Sequence, residues 1–140
     1  MTNTAPAIPD PISEAINRWD TETRTHFKEV RKRIFAVADQ HAQIGSIEET
    51  LKWGEPSYLT VRPKSGSTLR VSTNREDGRL TLFVNCQTDL IDQIKTRYPD
   101  AFDYHGKRSV VFKSTSGSDA DALDHVIALV LTYHSRKRVT

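Results

Sequence analysis

The chain has one cysteine, Cys86, and no long hydrophobic run. A single thiol cannot form an internal disulfide, and a lack of disulfides is typical of the reducing cytoplasm. The longest strictly apolar stretch, residues 126–131, is far shorter than the roughly 20 residues that a membrane-spanning helix needs. The first residues lack the basic and apolar regions of a secretory signal. We therefore expect a cytoplasmic protein without a membrane partner.

An excess of one charge is also missing, because 20 basic residues face 18 acidic ones and the net charge is +2. Nucleic-acid-binding domains usually carry a clear basic excess or stripe, so this balance disfavours a nucleic-acid partner. Basic residues do cluster within 24–33 and 136–138. Both clusters lie toward the C-terminal parts of predicted helices, where cations oppose the helix dipole, and we interpret them as solvated helix faces.

The sequence contains no Gly-rich phosphate loop and no Gly-x-Ser-x-Gly element. Cys86 has no identifiable histidine partner, and we interpret it as a partly buried small hydrophobic residue. Asp121 and His125 share a helix face, but a carboxylate suits a helix N-terminus without any metal. We therefore predict no cofactor, no metal ligand and no catalytic residue, and the sequence leaves enzymatic activity open without favouring it.

Helical patterns dominate the first third of the chain. We predict a disordered tail over residues 1–8 and a single domain over 9–140. A helix begins at Asp10-Pro11, and a second amphipathic stretch covers residues 27–38. Residues 46–49 read Ser-Ile-Glu-Glu, which matches a capping box and predicts a short third helix that Gly54 ends.

The pattern then becomes alternating, which predicts a meander of three strands near residues 59–61, 69–73 and 80–84. A helix capped by Thr88 or Asp89 follows, then a hairpin over 102–112, and a last helix capped by residues 118–121. The order is ααα-βββ-α-ββ-α. Because the strands run in consecutive hairpins, we predict the α+β class, with an antiparallel sheet of about five strands and helices on one face.

Alternation along the meander also predicts which side chains face outward. The buried face would hold Leu59, Val61, Val71 and Leu82, and the open face would hold Tyr58, Thr60, Arg62, Arg70, Ser72, Thr81 and Phe83. Aromatic rings, hydroxyls and arginines on one face could bind an anion, a base or a protein. The same residues are also good strand formers that an ordinary solvated sheet face would contain. Both interpretations stay open.

The segment 51–60, LKWGEPSYLT, joins the predicted third helix to the first strand. We expect Gly54 and Pro56 to form a stiff corner with the Trp53 ring buried as its anchor, so that removing the ring costs about 3–5 kcal/mol. Glu55 has no structural explanation in this corner, and a rigidly displayed carboxylate suits binding. The predicted binding residues are Trp53, Glu55, Tyr58, Arg62 and Arg70.

This segment also carries a family resemblance. Its Lys-Trp-Gly-x-Pro-x-Tyr element, with LFVNCQT at 82–88 and Tyr-Pro-Asp at 98–100, resembles the bacterial DUF1801, or YdhG-like, domains over about residues 10–138. The resemblance implies a compact frataxin-like α+β fold of mostly unassigned function, with some members described as iron-chaperone-like. Frataxin-type iron binding depends on an acidic ridge, whereas the predicted second helix here is basic.

Two functions follow as predictions. The preferred one is a small binding or adaptor domain, monomeric or weakly dimeric, that uses the corner 53–58 and the open sheet face for a protein or a small anionic ligand. The alternative, which rests on the frataxin-like analogy alone, is an iron- or metal-handling chaperone.

Overall fold

The computed structural model describes residues 5–62, 64–113 and 120–139, with side chains described up to residue 136. The elements in these ranges are α1 (Asp10–Ile16), α2 (Thr21–Gln40), β1 (Ser46–Lys52), β2 (Glu55–Arg62), β3 (Leu69–Thr73), β4 (Leu80–Phe83), α3 (Leu90–Arg97), β5 (Phe102–His105), β6 (Ser109–Phe112), α4 (Ala120–Leu131) and α5 (Tyr133–Val139). The strands form one antiparallel sheet in the order β1-β2-β3-β4-β6-β5. The α+β class is therefore confirmed, with six described strands instead of about five.

The predicted third helix is wrong, because Ser46–Lys52 form β1. This strand pairs with β2 along its length, and its Glu49 lies opposite Tyr58. A capping box is a local signal of about 1 kcal/mol, and pairing with a neighbouring strand and burial of alternate side chains outweigh it. The misread segment supplies the sixth strand.

A two-residue turn joins β1 to β2. Lys52 pairs with Glu55, and Trp53 and Gly54 between them have φ angles of 58° and 76°. Two positive φ values define the type I′ turn that suits the twist of a tight hairpin. The predicted helix-to-strand corner is thus a β-hairpin. The expected burial of the Trp53 ring is also wrong, since the residue is 90% exposed at the tip.

The helices cover one face of the sheet, which we call the core face. Buried residues of α1 to α4 share one hydrophobic cluster with Leu69, Val71 and Leu82. The first helix contributes Ile12 and Ile16, as their helical spacing predicts. The opposite face, the outer face, carries Arg70, Ser72, Thr81 and Phe83 in the predicted register, but Ser72 and Thr81 are buried there and not open to solvent.

The prediction for β2 has the two faces exchanged. Tyr58 pairs with Leu69 and is fully buried, and Thr60 is also buried. Leu59 and Val61, predicted to be buried, are half-buried instead. Strand β2 mixes apolar and polar residues in both phases, so its own pattern does not decide which set turns inward. The register with β1 and β3 decides it.

The connection between β2 and β3 packs against the end of α4. Ser67 N donates to the Val130 carbonyl at 2.9 Å, and Ser65 Oγ donates to the Leu131 carbonyl at 2.9 Å. A Cβ atom on Gly66 would lie 2.3 Å from the Leu131 carbonyl carbon, so only glycine fits there. Residues 65–67 therefore also cap the last carbonyls of α4.

The second half of the chain largely follows the predictions. The helix α3 and the β5–β6 hairpin lie where their patterns place them.

The predicted cap at residues 118–119 lies outside the described residues, as do residues 1–4 of the predicted tail. Within that tail, Ile8 packs against the core. No helix in the described ranges is both long and apolar enough to cross a bilayer.

Candidate functional site

The outer face of the sheet contains two adjoining hollows that together form the candidate site. The large hollow has a volume of about 620 Å³ and the small hollow about 290 Å³. Their shared border is made by Trp53, Arg70, Phe83 and Arg108. A combined space of this size falls in the range of small-ligand sites, although these hollows are open to solvent on one side.

Trp53 stands at the rim of both hollows in an unusual backbone conformation. Asn, Asp and Gly are the residues that type I′ turns prefer, and a bulky side chain at positive φ is an outlier. Among the described residues, Trp53 is the one large hydrophobic residue that is exposed. A costly conformation that displays an apolar ring to water has no evident structural benefit. Such an outlier motivates a functional hypothesis for Trp53.

Arg70 and Phe83 form the floor between the hollows. They pair across β3 and β4, and the Arg70 guanidinium carbon lies 4.9 Å from the centre of the Phe83 ring. A cation at this distance from an aromatic face is held by the ring quadrupole. The pair places a guanidinium group against an aromatic ring in the lining that the two hollows share.

Glu55 holds this floor in place. Its Oε2 accepts a hydrogen bond of 2.5 Å from Ser72 Oγ, and its Oε1 lies 3.1 Å from Arg70 Nε. The Arg70 contact is an ion pair whose angles do not meet hydrogen-bond geometry, because Nε is buried without an acceptor in line. The carboxylate that the sequence left unexplained therefore positions Arg70. It also lines the large hollow.

Hydrogen-bond donors and positive charges outnumber acceptors here. Lys52 lines the small hollow, Arg75 the large one and Arg108 both, and within the described ranges no carboxylate makes an ion pair with any of them. The amide Nδ2 of Asn74 is buried without an acceptor in the large hollow. A ligand that brings acceptors and negative charge would satisfy these groups.

Tyr58 belongs to a different cluster on the core face. Its hydroxyl donates to Glu49 Oε2 at 2.7 Å, and Arg31 donates to the same carboxylate through Nε at 2.6 Å and Nη2 at 2.8 Å. Burial, followed by the Glu49 charge, raises the pKa of the Tyr58 hydroxyl far above its ordinary value. We call Arg31, Glu49 and Tyr58 the core triad. Arg31 was predicted to be solvated, but it is 4% exposed.

The structure thus brings together three of the five predicted binding residues. Trp53, Glu55 and Arg70 line the large hollow. Tyr58 is fully buried in the core, so its predicted place on the open face is wrong and it lines neither hollow. Arg62 is exposed at the end of β2, beyond a register shift at its β1 partner Ser46, and it lines neither hollow.

Sequence reasoning missed the basic and amide groups of the site. Arg108 reaches it because β6 pairs with β4, and its carbonyl accepts a hydrogen bond from Val84 N at 2.8 Å. This pairing skips α3 and β5, and no local pattern encodes it. Cys86 was predicted to be partly buried, but it is exposed and lines the small hollow.

Metal chemistry has no cluster to support it in the described ranges, where no three His, Cys, Asp or Glu side chains are arranged to hold an ion. His125, considered with Asp121, instead contacts Tyr98, whose hydroxyl lies 2.6 Å from His125 Nδ1. Burial and the nearby Arg97 and Arg136 lower the pKa of His125.

Comparison of the chain with family models, curated proteins and solved structures gave no match. The resemblance to the DUF1801 family and the metal-handling alternative therefore stay predictions from the sequence.

Proposed function

We propose that the protein is a binding domain whose outer sheet face holds a small, planar, anionic ligand across the two hollows. The proposal rests on one observation: an exposed aromatic ring lines the same hollows as cations that form no ion pair within the described ranges. Trp53 is displayed in a strained conformation, and Lys52, Arg75 and Arg108 lie around it. The ring favours a flat apolar body, and the cations favour negative charge on it.

The electrostatic balance of the site supports an anion over a cation. Among the described residues that line the hollows, Glu55 is the one acidic residue. Its carboxylate already forms an ion pair with Arg70 and accepts a hydrogen bond from Ser72. The local charge is therefore positive even though the chain as a whole is nearly neutral. A cleft lined by one sign of charge raises the local concentration of ligands of the opposite sign.

Cys86 offers a direct measurement, because it is the single thiol of the chain and lines the small hollow. Aromatic carboxylates, sulfonates and phosphates would be screened for slowing the alkylation of Cys86 and for raising Tm, beside aliphatic anions of equal charge. We expect the aromatic anions to do both, with about 2.7 kcal/mol of stabilisation at a concentration of 100 times Kd.

Two variants make this screen decisive. Arg108→Ala should weaken the protection of Cys86, whereas Lys107→Ala, which removes an exposed cation at the neighbouring position, should not. If no aromatic anion protects Cys86, or if Lys107→Ala has the larger effect, the outer face is not the binding site.

A further inference from the structure

The two hollows differ in chemistry, and this difference restricts the ligand beyond a planar anion. The small hollow contains Lys52 and Arg108, and its described lining residues include no carboxylate. The large hollow also contains cations, Arg75 and the shared Arg108, but it adds the Glu55 carboxylate and the Asn74 amide, whose Nδ2 is buried without a partner. One compartment thus offers positive charge without a carboxylate, and the other adds a neutral donor and an acceptor close to an aromatic floor.

We infer that the ligand is a free nucleoside phosphate, with its base in the large hollow and its phosphate in the small one. This inference rests on the proposed function. A base needs a ring to stack on and groups that read its edge, which Trp53, Phe83, Asn74 and Glu55 supply. An ionised phosphate needs donors with positive charge, which Lys52 and Arg108 supply.

The Asn74 side chain carries the assignment of the base. Its Oδ1 accepts a hydrogen bond of 3.0 Å from Glu76 N, which fixes the amide so that Nδ2 is the group left over. That Nδ2 is buried and has no partner. A buried donor without an acceptor is costly, and a ring nitrogen or carbonyl oxygen of a base would satisfy it. The Glu55 oxygens keep lone pairs that an exocyclic amino group could use.

Hydroxyl groups support the phosphate assignment. Ser67 and Thr68 line the small hollow beside Lys52 and Arg108, and they add donors that a phosphate oxygen accepts. Their connection is held rigidly because Ser67 N is bonded to the Val130 carbonyl at 2.9 Å. A fixed loop loses little freedom when a ligand binds.

A free nucleotide fits this face better than a nucleic-acid strand does. The two volumes of about 620 and 290 Å³ match a single small ligand. A strand would require a basic track that continues past the site, and the net charge of +2 with 18 acidic residues provides no large excess for one. The occupant is therefore a nucleotide that is not part of a chain.

The experiment compares four probes on the full chain: nucleoside triphosphates, the matching nucleosides, inorganic phosphate, and a single-stranded oligonucleotide. Binding is followed by Cys86 protection and by Trp53 fluorescence, with Trp53→Phe identifying the signal of the buried Trp19. We expect triphosphates to bind at least tenfold more tightly than nucleosides, because charged hydrogen bonds to phosphate each contribute about that factor.

Variants then test the two compartments separately. Lys52→Ala should weaken triphosphate binding by about tenfold and leave nucleoside binding unchanged, because it removes one charged contact. Asn74→Ala should weaken nucleosides and triphosphates by the same factor. Lys107→Ala is the control and should change neither. Since Lys52 and Lys107 are exposed, these variants should fold normally, and their unliganded Tm verifies this.

Four results would overturn the inference. Inorganic phosphate that competes as well as a nucleotide would show that the site does not recognise the base. An oligonucleotide that binds more tightly than its free nucleotides would assign the face to nucleic acid. If aromatic anions protect Cys86 but nucleotides do not, the nucleotide assignment fails while the binding function stands. If neither protects it, both fail.

Discussion

The sheet holds an arginine–glutamate pair on each of its faces, and the two pairs behave differently. In the core triad, Glu49 accepts from Arg31 and Tyr58, and the arginine and glutamate side chains are 4% and 6% exposed. On the outer face, the side chains of Arg70 and Glu55 are 22% and 24% exposed, and Arg70 Nε lacks an acceptor in line. The first pair is satisfied within the protein, and the second keeps capacity for a ligand.

The comparison teaches how one hairpin can serve both stability and binding. Glu49 in β1 and Glu55 in β2 are six residues apart, but the strand register sends them to opposite faces. A buried ion pair that is fully hydrogen-bonded fixes the packing around it, and removing one partner leaves a costly unpaired charge. A partly exposed pair is cheaper to disturb, because water can solvate what remains.

The largest effect should come from breaking the core triad. We expect Glu49→Ala to lower the free energy of unfolding by about 3–5 kcal/mol, because Arg31 would stay buried without a counter-charge. Urea denaturation followed by circular dichroism measures this. Glu48→Ala is the matched control, since Glu48 is the exposed neighbour of Glu49, and it should change the free energy by less than about 0.5 kcal/mol. Equal effects of the two variants would mean that the triad contributes no special stability.

The next largest effect concerns the contribution of the Tyr58 hydroxyl to stability, apart from that of the Arg31–Glu49 ion pair. Tyr58→Phe should cost about 1–2 kcal/mol at neutral pH, because one buried hydrogen bond to a charged group is lost while Arg31 still pairs with Glu49. Denaturation curves at pH 7 measure this cost. A loss as large as that of Glu49→Ala would show that the hydroxyl, not the ion pair, dominates the triad.

Tyr58 also predicts how stability depends on alkaline pH. Its pKa is raised in the folded state, so above the ordinary tyrosine pKa of about 10 the unfolded chain releases a proton that the folded chain retains. The stability is therefore present below that pH and is lost as the pH rises beyond it. We expect Tyr58→Phe to have a flatter decline between pH 9 and pH 11, the window around that pKa of about 10. Equal slopes for both proteins would contradict a buried, protonated Tyr58.

These contrasts also explain what the sequence could predict. Helical and alternating patterns were sufficient for α1, α2, α3 and the last hairpin, because each is recorded in neighbouring residues. The phase of β2 was not predictable, because apolar and polar residues occur in both phases of that strand. The strand at Ser46–Lys52 was not predictable either, because Glu49 fits equally well as a helix cap and as a buried partner for Arg31. Only the contact 18 positions away along the chain decides between them.

The site follows the same rule. Glu55 and Arg70 were identified because they stand out in their own segments, and Trp53 was identified for the wrong reason, as a buried anchor. Arg108 and Asn74 come from turns that lie far apart in sequence and meet only through the pairing of β4 with β6 and of β3 with β4. A signal for Trp53 does exist in the sequence. A Trp-Gly pair between two alternating segments could have indicated a two-residue hairpin turn.

A smaller effect should come from the turn itself. Trp53→Asn places the preferred residue at the first position of a type I′ turn, so we expect the free energy of unfolding to rise by up to about 1 kcal/mol. The same change removes the exposed ring, so binding of aromatic anions should be lost. Thermal unfolding and the Cys86 protection assay measure the two results on one variant. A destabilised Trp53→Asn variant would mean that the ring packs against the protein.

The smallest effect should come from Glu55, the outer counterpart of Glu49. Glu55→Gln keeps an oxygen that can accept from Ser72 and removes the charge beside Arg70, and solvent reaches both side chains of that pair. We expect the free energy of unfolding to change by less than about 1 kcal/mol, the range of partly exposed ion pairs. Urea denaturation of Glu55→Gln and Glu49→Gln under the same conditions compares the two faces directly. The same substitution in the core triad should lower the free energy of unfolding several times more. If the two variants lose equal stability, the carboxylate on the outer face is as structural as the one in the core, and the contrast between the faces disappears.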